Sequence, residues 1–298
     1  MSKKIVIGSR GSDLALWQAH HVKDRLQSLG HEVEINIIKT QGDRIQHLSF
    51  DKLEGKGFFT KELEEALLAG SIDLAVHSHK DLPTEHPEGL IIAAVSNRED
   101  PSDLLLIRKE KVDKEQTFDL CLKGSVGTSS ARRKSQLLHH RPDVKLLDLR
   151  GNVPTRINKL REGQYNAIML AAAGVERLQL DLSEFHIVKL DPKTFIPAPA
   201  QGVLGLQIRE TDTQLLTILE ALHDSNVAKQ IEVERRILNL FEGGCQMPLG
   251  AYCEKTENGF KVWTSVAEAW NTALRLNENE GEIPEKLAQD TVALMRAN

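Results

Sequence analysis

The residues best suited to chemistry fall in five short stretches. Gly124-Ser125-Val126-Gly127-Thr128-Ser129-Ser130-Ala131-Arg132-Arg133 leads small residues and hydroxyls from a strand-like run into two arginines. Free backbone N–H groups, hydroxyls and guanidinium forks at a helix start are what carboxylate or phosphate binding requires. A plain Ser N-cap with two solvated arginines would read the same way. Arg150-Gly151-Asn152-Val153-Pro154-Thr155-Arg156 repeats the pattern, with Pro154 near a first helical turn. His77-Ser78-His79-Lys80-Asp81-Leu82-Pro83 closes an apolar run, and Asp81 beside Lys80 suits proton transfer or holding a developing cation. A surface ion pair is the plainer reading. His77 and His79 share a face by strand periodicity, but no third ligand stands at metal spacing, so no metal is expected. In Gly243-Gly244-Cys245 the glycines clear space around a thiol and invite covalent chemistry. Gly55-Lys56-Gly57-Phe58-Phe59 reads either as a lid carrying Lys56 and Phe59 or as an ordinary exposed loop.

Alternating elements must position these stretches. Ile5–Ile7, a periodic helix through Leu14, Trp17, Val22 and Leu26, and Val33–Ile38 set a βαβ rhythm. It continues with a helix capped by Thr60 and closed by Gly70, a strand over 73–78 and a run over 91–95. After the polar stretch 97–103 a second series begins: 104–107, 125–128, a helix from Ser130, 144–149, a helix from Val153, and 167–170. This predicts largely parallel sheets with helices on both faces and binding sites at the carboxyl ends of strands. Residues 191–200 carry three of the ten prolines and read as a stiff return segment before a strand over 203–208. Helical periodicity resumes near Leu222, and the tail beyond Gly250 reads as strands and a closing helix.

Composition excludes several classes. The chain has 298 residues, 40% hydrophobic and 27% charged, enough for two or three buried cores and unlike a disordered chain. Aromatics are 4%, too few for a base-stacking platform. Three cysteines at no zinc spacing read as reduced thiols. Without a secretory leader or an apolar run near the ~20 residues of a spanning helix, a cytoplasmic location is expected. The net charge is −5, yet residues 128–177 alone carry +6. That local excess suits a multiply charged small anion better than a nucleic acid, although Lys134, Arg141, Lys145, Lys159 and Arg161 also fit a solvated face.

These stretches, together with Gly8-Ser9-Arg10-Gly11-Ser12, Leu14-Ala15-Leu16-Trp17-Gln18, Lys39-Thr40-Gln41-Gly42-Asp43, Lys61-Glu62-Leu63-Glu64 and Pro199-Ala200-Gln201-Gly202, resemble the porphobilinogen deaminase (hydroxymethylbilane synthase) family along nearly the whole chain. The resemblance implies two periplasmic-binding-protein-like (type II) α/β domains forming a cleft, plus a smaller α+β C-terminal domain. Its expected boundaries are 1–98 plus 200–218, 103–195, and 222–298. It implies a dipyrromethane cofactor joined to Cys245 by a thioether. It also implies a transferase that condenses four porphobilinogen molecules head to tail, losing ammonia each time, to give hydroxymethylbilane for tetrapyrrole (haem) biosynthesis. By motif position, Arg10, Ser12, Ser78, Lys80, Thr128, Ser130, Arg132, Arg133, Arg150, Arg156 and Arg177 would take cofactor or substrate carboxylates, and Asp81 would be catalytic. A monomer is expected, passing its product to the next enzyme of the pathway, with neither nucleic acid nor membrane as partner. His79, Ser102, Pro154 and Met247 depart from the family's pattern without removing any of these groups.

Two other classes remain in view on the residues alone. A solute-binding protein or ligand-sensing regulator would share the α/β fold but has no use for a glycine-flanked thiol. A nucleic-acid binder could use the basic stretch, with affinity that falls steeply with salt and ignores Cys245.

Overall fold

The computed structural model of the chain describes residues 4–40, 60–244 and 247–297. Two α/β sheets carry the first two thirds. In the first, β1 (Ile5–Ser9) pairs in parallel with β2 (Val33–Ile37) and with β3 (Leu74–Ser78). Strand β10 (Leu204–Arg209) then runs antiparallel between β3 and β4 (Leu90–Val95), giving the order β2-β1-β3-β10-β4. Helices cover both faces. Ala19, Val22 and Leu26 of α1 (Asp13–Ser28) join Leu215 and Leu219 of α6 (Thr213–Leu219) on one side. Leu63 and Leu67 of α2 (Lys61–Leu68) pack with Ile72 and Ala75 on the other. Apolar residues at helical spacing bury one stripe of each helix, which is why the pattern was readable.

The second sheet repeats the plan. Its order is β7 (Lys145–Leu147), β6 (Ser125–Gly127), β8 (Ala167–Ala171), β5 (Asp103–Arg108) and β9 (Phe185–Leu190). Again the strand between the third and fourth parallel members, here β5, is antiparallel to both neighbours. The expectation of largely parallel sheets therefore holds for four strands of each five. The antiparallel exception was invisible in sequence because a doubly buried strand is a continuous apolar run in either direction. Helix α3 (Ala131–His140) covers one face through Leu137, and α4 (Val153–Arg161) covers the other through Ile157 and Leu160.

The two antiparallel strands arrive by exchange between the halves of the sequence: β5 follows directly on β4, and β10 returns after the whole second series. The returning segment includes Gly202 at φ +91°, where a Cβ would lie 2.4 Å from the Glu99 carbonyl oxygen. Only glycine allows that approach.

The tail forms a three-stranded antiparallel sheet, β11 (Leu249–Thr256), β12 (Gly259–Val266) and β13 (Arg275–Gly281). Its inner face packs on α7 (Ser225–Leu240) and α8 (Pro284–Ala297) through Val233, Ile237, Val262, Leu287 and Val292. The described residues group into two compact units, one taking 4–40, 60–99 and 202–228, the other 100–201, 229–244 and 247–297. Within the second unit the small sheet is tied to the proline-rich segment: Ala251 N–H donates to the Pro197 carbonyl (3.1 Å), and Lys193 meets Glu254 (2.9 Å) and the Trp263 ring. The short helix α5 (Ala172–Arg177), α6 and β9 were not anticipated, being too short or too mixed for a clear period.

Candidate active site

In the first unit the candidate residues meet at the carboxyl ends of β1 and β3. Arg10, Ser12, Gln18, Thr60, Ser78 and Asp81 line a pocket that opens to solvent. Ser12 caps α1 by accepting a hydrogen bond from the Ala15 N–H, which leaves other N–H groups of the first turn for an anion. Gln18 donates to Ser78 Oγ at 2.8 Å and fixes the end of β3 against α1. Strand β3 stops at Ser78, and His79–Asp81 form a 3₁₀ turn that turns the chain outward. Asp81 is exposed there, and Lys80 is half-buried beside it.

The histidines depart from the shared-face reading, because the 3₁₀ turn removes His79 from the strand's alternation. His77 is fully buried, its Nε2 3.1 Å from Gln207 Oε1, and Gln207 Nε2 in turn donates to Glu64. Burial lowers the His77 pKa to about 4, so the ring is neutral at physiological pH with its proton on Nε2. Burial also raises the Glu64 carboxyl. Thr60 occupies the N-cap position of α2 as expected, but its hydroxyl caps nothing. Among the described residues no three His, Cys, Asp or Glu side chains cluster to hold a metal.

In the second unit two turns lie side by side. Ser130 caps α3 through the Arg133 N–H, and Asn152 caps α4 through the Thr155 N–H. Ser129 stitches the turns together, its Oγ donating to the Leu149 carbonyl and accepting from the Leu149 N–H, both at 3.0 Å. Thr128 is buried and accepts from the Ser130 N–H. Gly151, at φ +114°, brings its backbone within 2.8 Å of Arg156 Nε, and a Cβ there would collide with Thr155. Arg150 and Arg156 are half-buried, and Arg177 is buried in the last turn of α5.

Arg132 and Arg133 are drawn inward. Arg132 Nη1 donates to Asp103 Oδ2 (2.8 Å) and to the Ile196 carbonyl (2.9 Å). Arg133 Nη2 donates to Asp103 Oδ1 (2.7 Å), and its Nη1 to the Met169 carbonyl (3.1 Å). Burial alone would raise the Asp103 carboxyl, but the two guanidinium groups outweigh it and hold it well below the usual carboxylate range. One carboxylate against two guanidinium groups leaves a buried charge of +1, and Arg133 Nε is buried without an acceptor among the described residues. A buried orphan donor on an uncompensated cation calls for an anion.

The same arrangement sorts the basic stretch. Arg141 is spent on Asp143 and the carbonyls of Thr117, Leu120 and Cys121, Arg161 on Glu184, and Lys134 on Asp148 at 2.6 Å. These are structural pairs. Asp103, Gln18 and Gln201, whose Nε2 donates to Asp103 Oδ1 at 2.9 Å, were not singled out from sequence. Gln18 and Gln201 lay within quoted motifs, whereas Asp103 carried no signal of its own. Cys245, Lys56 and Phe59 lie outside the described residues.

Residues 5–217 match the family model described as "Porphobilinogen deaminase, dipyromethane cofactor binding domain". The chain belongs to the porphobilinogen deaminase family. It is 46% identical over 255 residues to the porphobilinogen deaminase of a Nitratiruptor species, covering 86% of this chain and 80% of that one. It is 46% identical over 268 residues to that of Maridesulfovibrio salexigens, covering 89% and 85%. Similarity to the Gloeobacter violaceus enzyme is 41% identity over 303 residues, taking in 100% of this chain and 92% of that one. Among solved structures it is similar to an ancestral cationic amino acid solute binding protein, at 17% identity and a TM-score of 0.44, covering 74% of this chain and 88% of that one. The chain is thus an enzyme of tetrapyrrole biosynthesis with a dipyrromethane cofactor-binding domain. The residues present fit that group, which carries acetate and propionate side chains: the donors of the second unit are guanidinium forks, hydroxyls and helix N–H groups, around a buried excess of positive charge.

Proposed function

We propose that the two turns of the second unit are the carboxylate clamp of a hydroxymethylbilane synthase, with Thr128, Ser130, Arg132, Arg133, Arg150, Arg156 and Arg177 taking acetate and propionate groups of cofactor and substrate. The observation that supports this best is the buried +1 charge at Asp103, Arg132 and Arg133 with the orphan Arg133 Nε. When bound through Cys245, the dipyrromethane supplies the pyrrole end on which the chain grows. Arg10, Ser12, Ser78 and Lys80 hold substrate carboxylates in the first unit, beside Asp81. Loss of ammonia from porphobilinogen leaves a cation shared with its pyrrole nitrogen. The Asp81 carboxylate stabilises that cation and takes the proton released as the new carbon–carbon bond forms.

The same reading divides the chain into domains at 1–98 plus 200–218, 103–195 and 222–298, and places it in the cytoplasm as a monomer that hands its product to the next enzyme. Among the described residues no helix is long and apolar enough to cross a membrane. The deciding experiment is the intact mass of the purified protein beside Cys245→Ser. A covalent excess of two porphobilinogen units less their ammonia, in the parent alone, is expected. A bare parent chain that gains no mass on incubation with porphobilinogen would overturn the assignment of Cys245.

A further inference from the structure

Trp270 is one of three tryptophans, and its surroundings separate it from the other two. Trp17 is stacked on His21, and Trp263 is buried under Lys193 and Lys261. Trp270 instead leaves 40% of its surface to solvent. It sits in the turn between β12 and β13, which Thr272 cinches: its N–H and Oγ1 both donate to the Ala269 carbonyl, and Oγ1 accepts from the Ala269 N–H.

Two contacts tie this turn to the candidate site. At its base the Ala267 N–H donates to the Pro248 carbonyl (3.1 Å), three residues past Cys245 in sequence. At its tip the indole lies 5.3 Å from the ammonium of Lys134. Lys134 stands one turn into α3 from Ser130, and its partner Asp148 is two residues before Arg150. The ammonium lies over the indole and helps hold it in place, leaving the rest of its apolar surface exposed beside the helix that Ser130 caps.

We infer that Trp270 is a further substrate-binding residue, whose exposed indole packs against a pyrrole ring of the growing chain while the arginines hold that chain's carboxylates. The chemistry of the ligand favours this occupant. Each unit is a flat, electron-rich ring bearing two anionic arms, and arginines alone bind the arms without positioning the ring. An indole beside the helix that carries Arg132 and Arg133 adds that positioning through stacked or edge-on contact. This inference rests on the carboxylate-clamp reading above.

The test uses the cofactor-bearing enzyme. Trp270→Ala, an exposed substitution, is expected to melt within a few degrees of the parent and to raise KM for porphobilinogen about three- to tenfold with kcat within about twofold. Trp270→Phe keeps an aromatic face and should recover most of the loss. A second reading is independent of turnover: porphobilinogen should perturb tryptophan emission in the parent and do so less in Trp270→Phe. Unchanged KM in Trp270→Ala with an undiminished emission change in Trp270→Phe would overturn the inference, as would a fall in kcat at constant KM. Arg150→Gln, measured alongside, separates the two failures. If Arg150→Gln weakens binding while Trp270→Ala does not, only the role of Trp270 falls. If neither does, the carboxylate clamp falls with it.

Discussion

The Nε2 amide of Gln201 donates to Asp103 Oδ1 at 2.9 Å, so one buried carboxylate joins the two segments by which the chain passes between the α/β series. Gln201 also donates to the Pro101 carbonyl at 2.7 Å, and Asp103 holds Arg132 and Arg133 on its other lone pairs. Arg132 closes the circuit through the Ile196 carbonyl, which Gln136 Nε2 also engages. The Ser130 turn that starts α3 and both crossing segments therefore share a single charged node.

Asp103→Asn should consequently be among the most damaging polar substitutions in the second unit. Asn offers one acceptor oxygen in place of two, and turns an N–H toward a donor, leaving buried guanidinium groups without compensation. A loss of about 3–5 kcal/mol is expected from breaking a buried ionic network. Urea denaturation of parent and variant measures it, and a loss under about 1 kcal/mol would show that water or rearranged side chains replace the carboxylate.

Acid should weaken the first unit through His77. Its pKa is lowered to about 4 in the folded protein against 6.5 as its ordinary value, so the unfolded chain binds the extra proton between these limits. The stability from keeping this ring neutral is complete above pH 6.5 and is lost as pH falls toward 4, amounting to about 3 kcal/mol. Denaturation midpoints compared from pH 7 to pH 4.5 should fall less steeply in His77→Gln than in the parent. Parallel slopes would mean that the buried ring is charged or that water reaches it.

Turnover should depend on the charge of Asp81 far more than binding does. Asp81→Asn preserves shape and removes the anion, so KM is expected to stay within a few-fold while kcat falls about 10²-fold or more. Steady-state kinetics with porphobilinogen reads both constants, and near-parent kcat would remove Asp81 from the chemistry.

How much of this could be read in the residues follows from the range of the interactions involved. Local signals carried the alternating elements and the starts of α3 and α4 near Ser130 and Val153. Hydrophobic period and capping side chains are set by neighbours a few residues apart. The motifs also carried family membership, because the groups that bind and transfer charge must stand at fixed places along the chain. What the sequence by itself could not determine were relations over long separations. Nothing local distinguishes Arg132 and Arg133, which turn inward to an aspartate some 30 residues earlier, from Arg150, or reveals that Arg141 and Arg161 are spent on structural partners. The antiparallel course of β5 and β10, the neutral state of His77 against Gln207, and the meeting of Trp270 with Lys134 were likewise decided only by the tertiary structure. Partner choice and burial are properties of the packed chain: a charged side chain takes whichever opposite charge the fold brings within reach, and its titration follows from the water that packing removes.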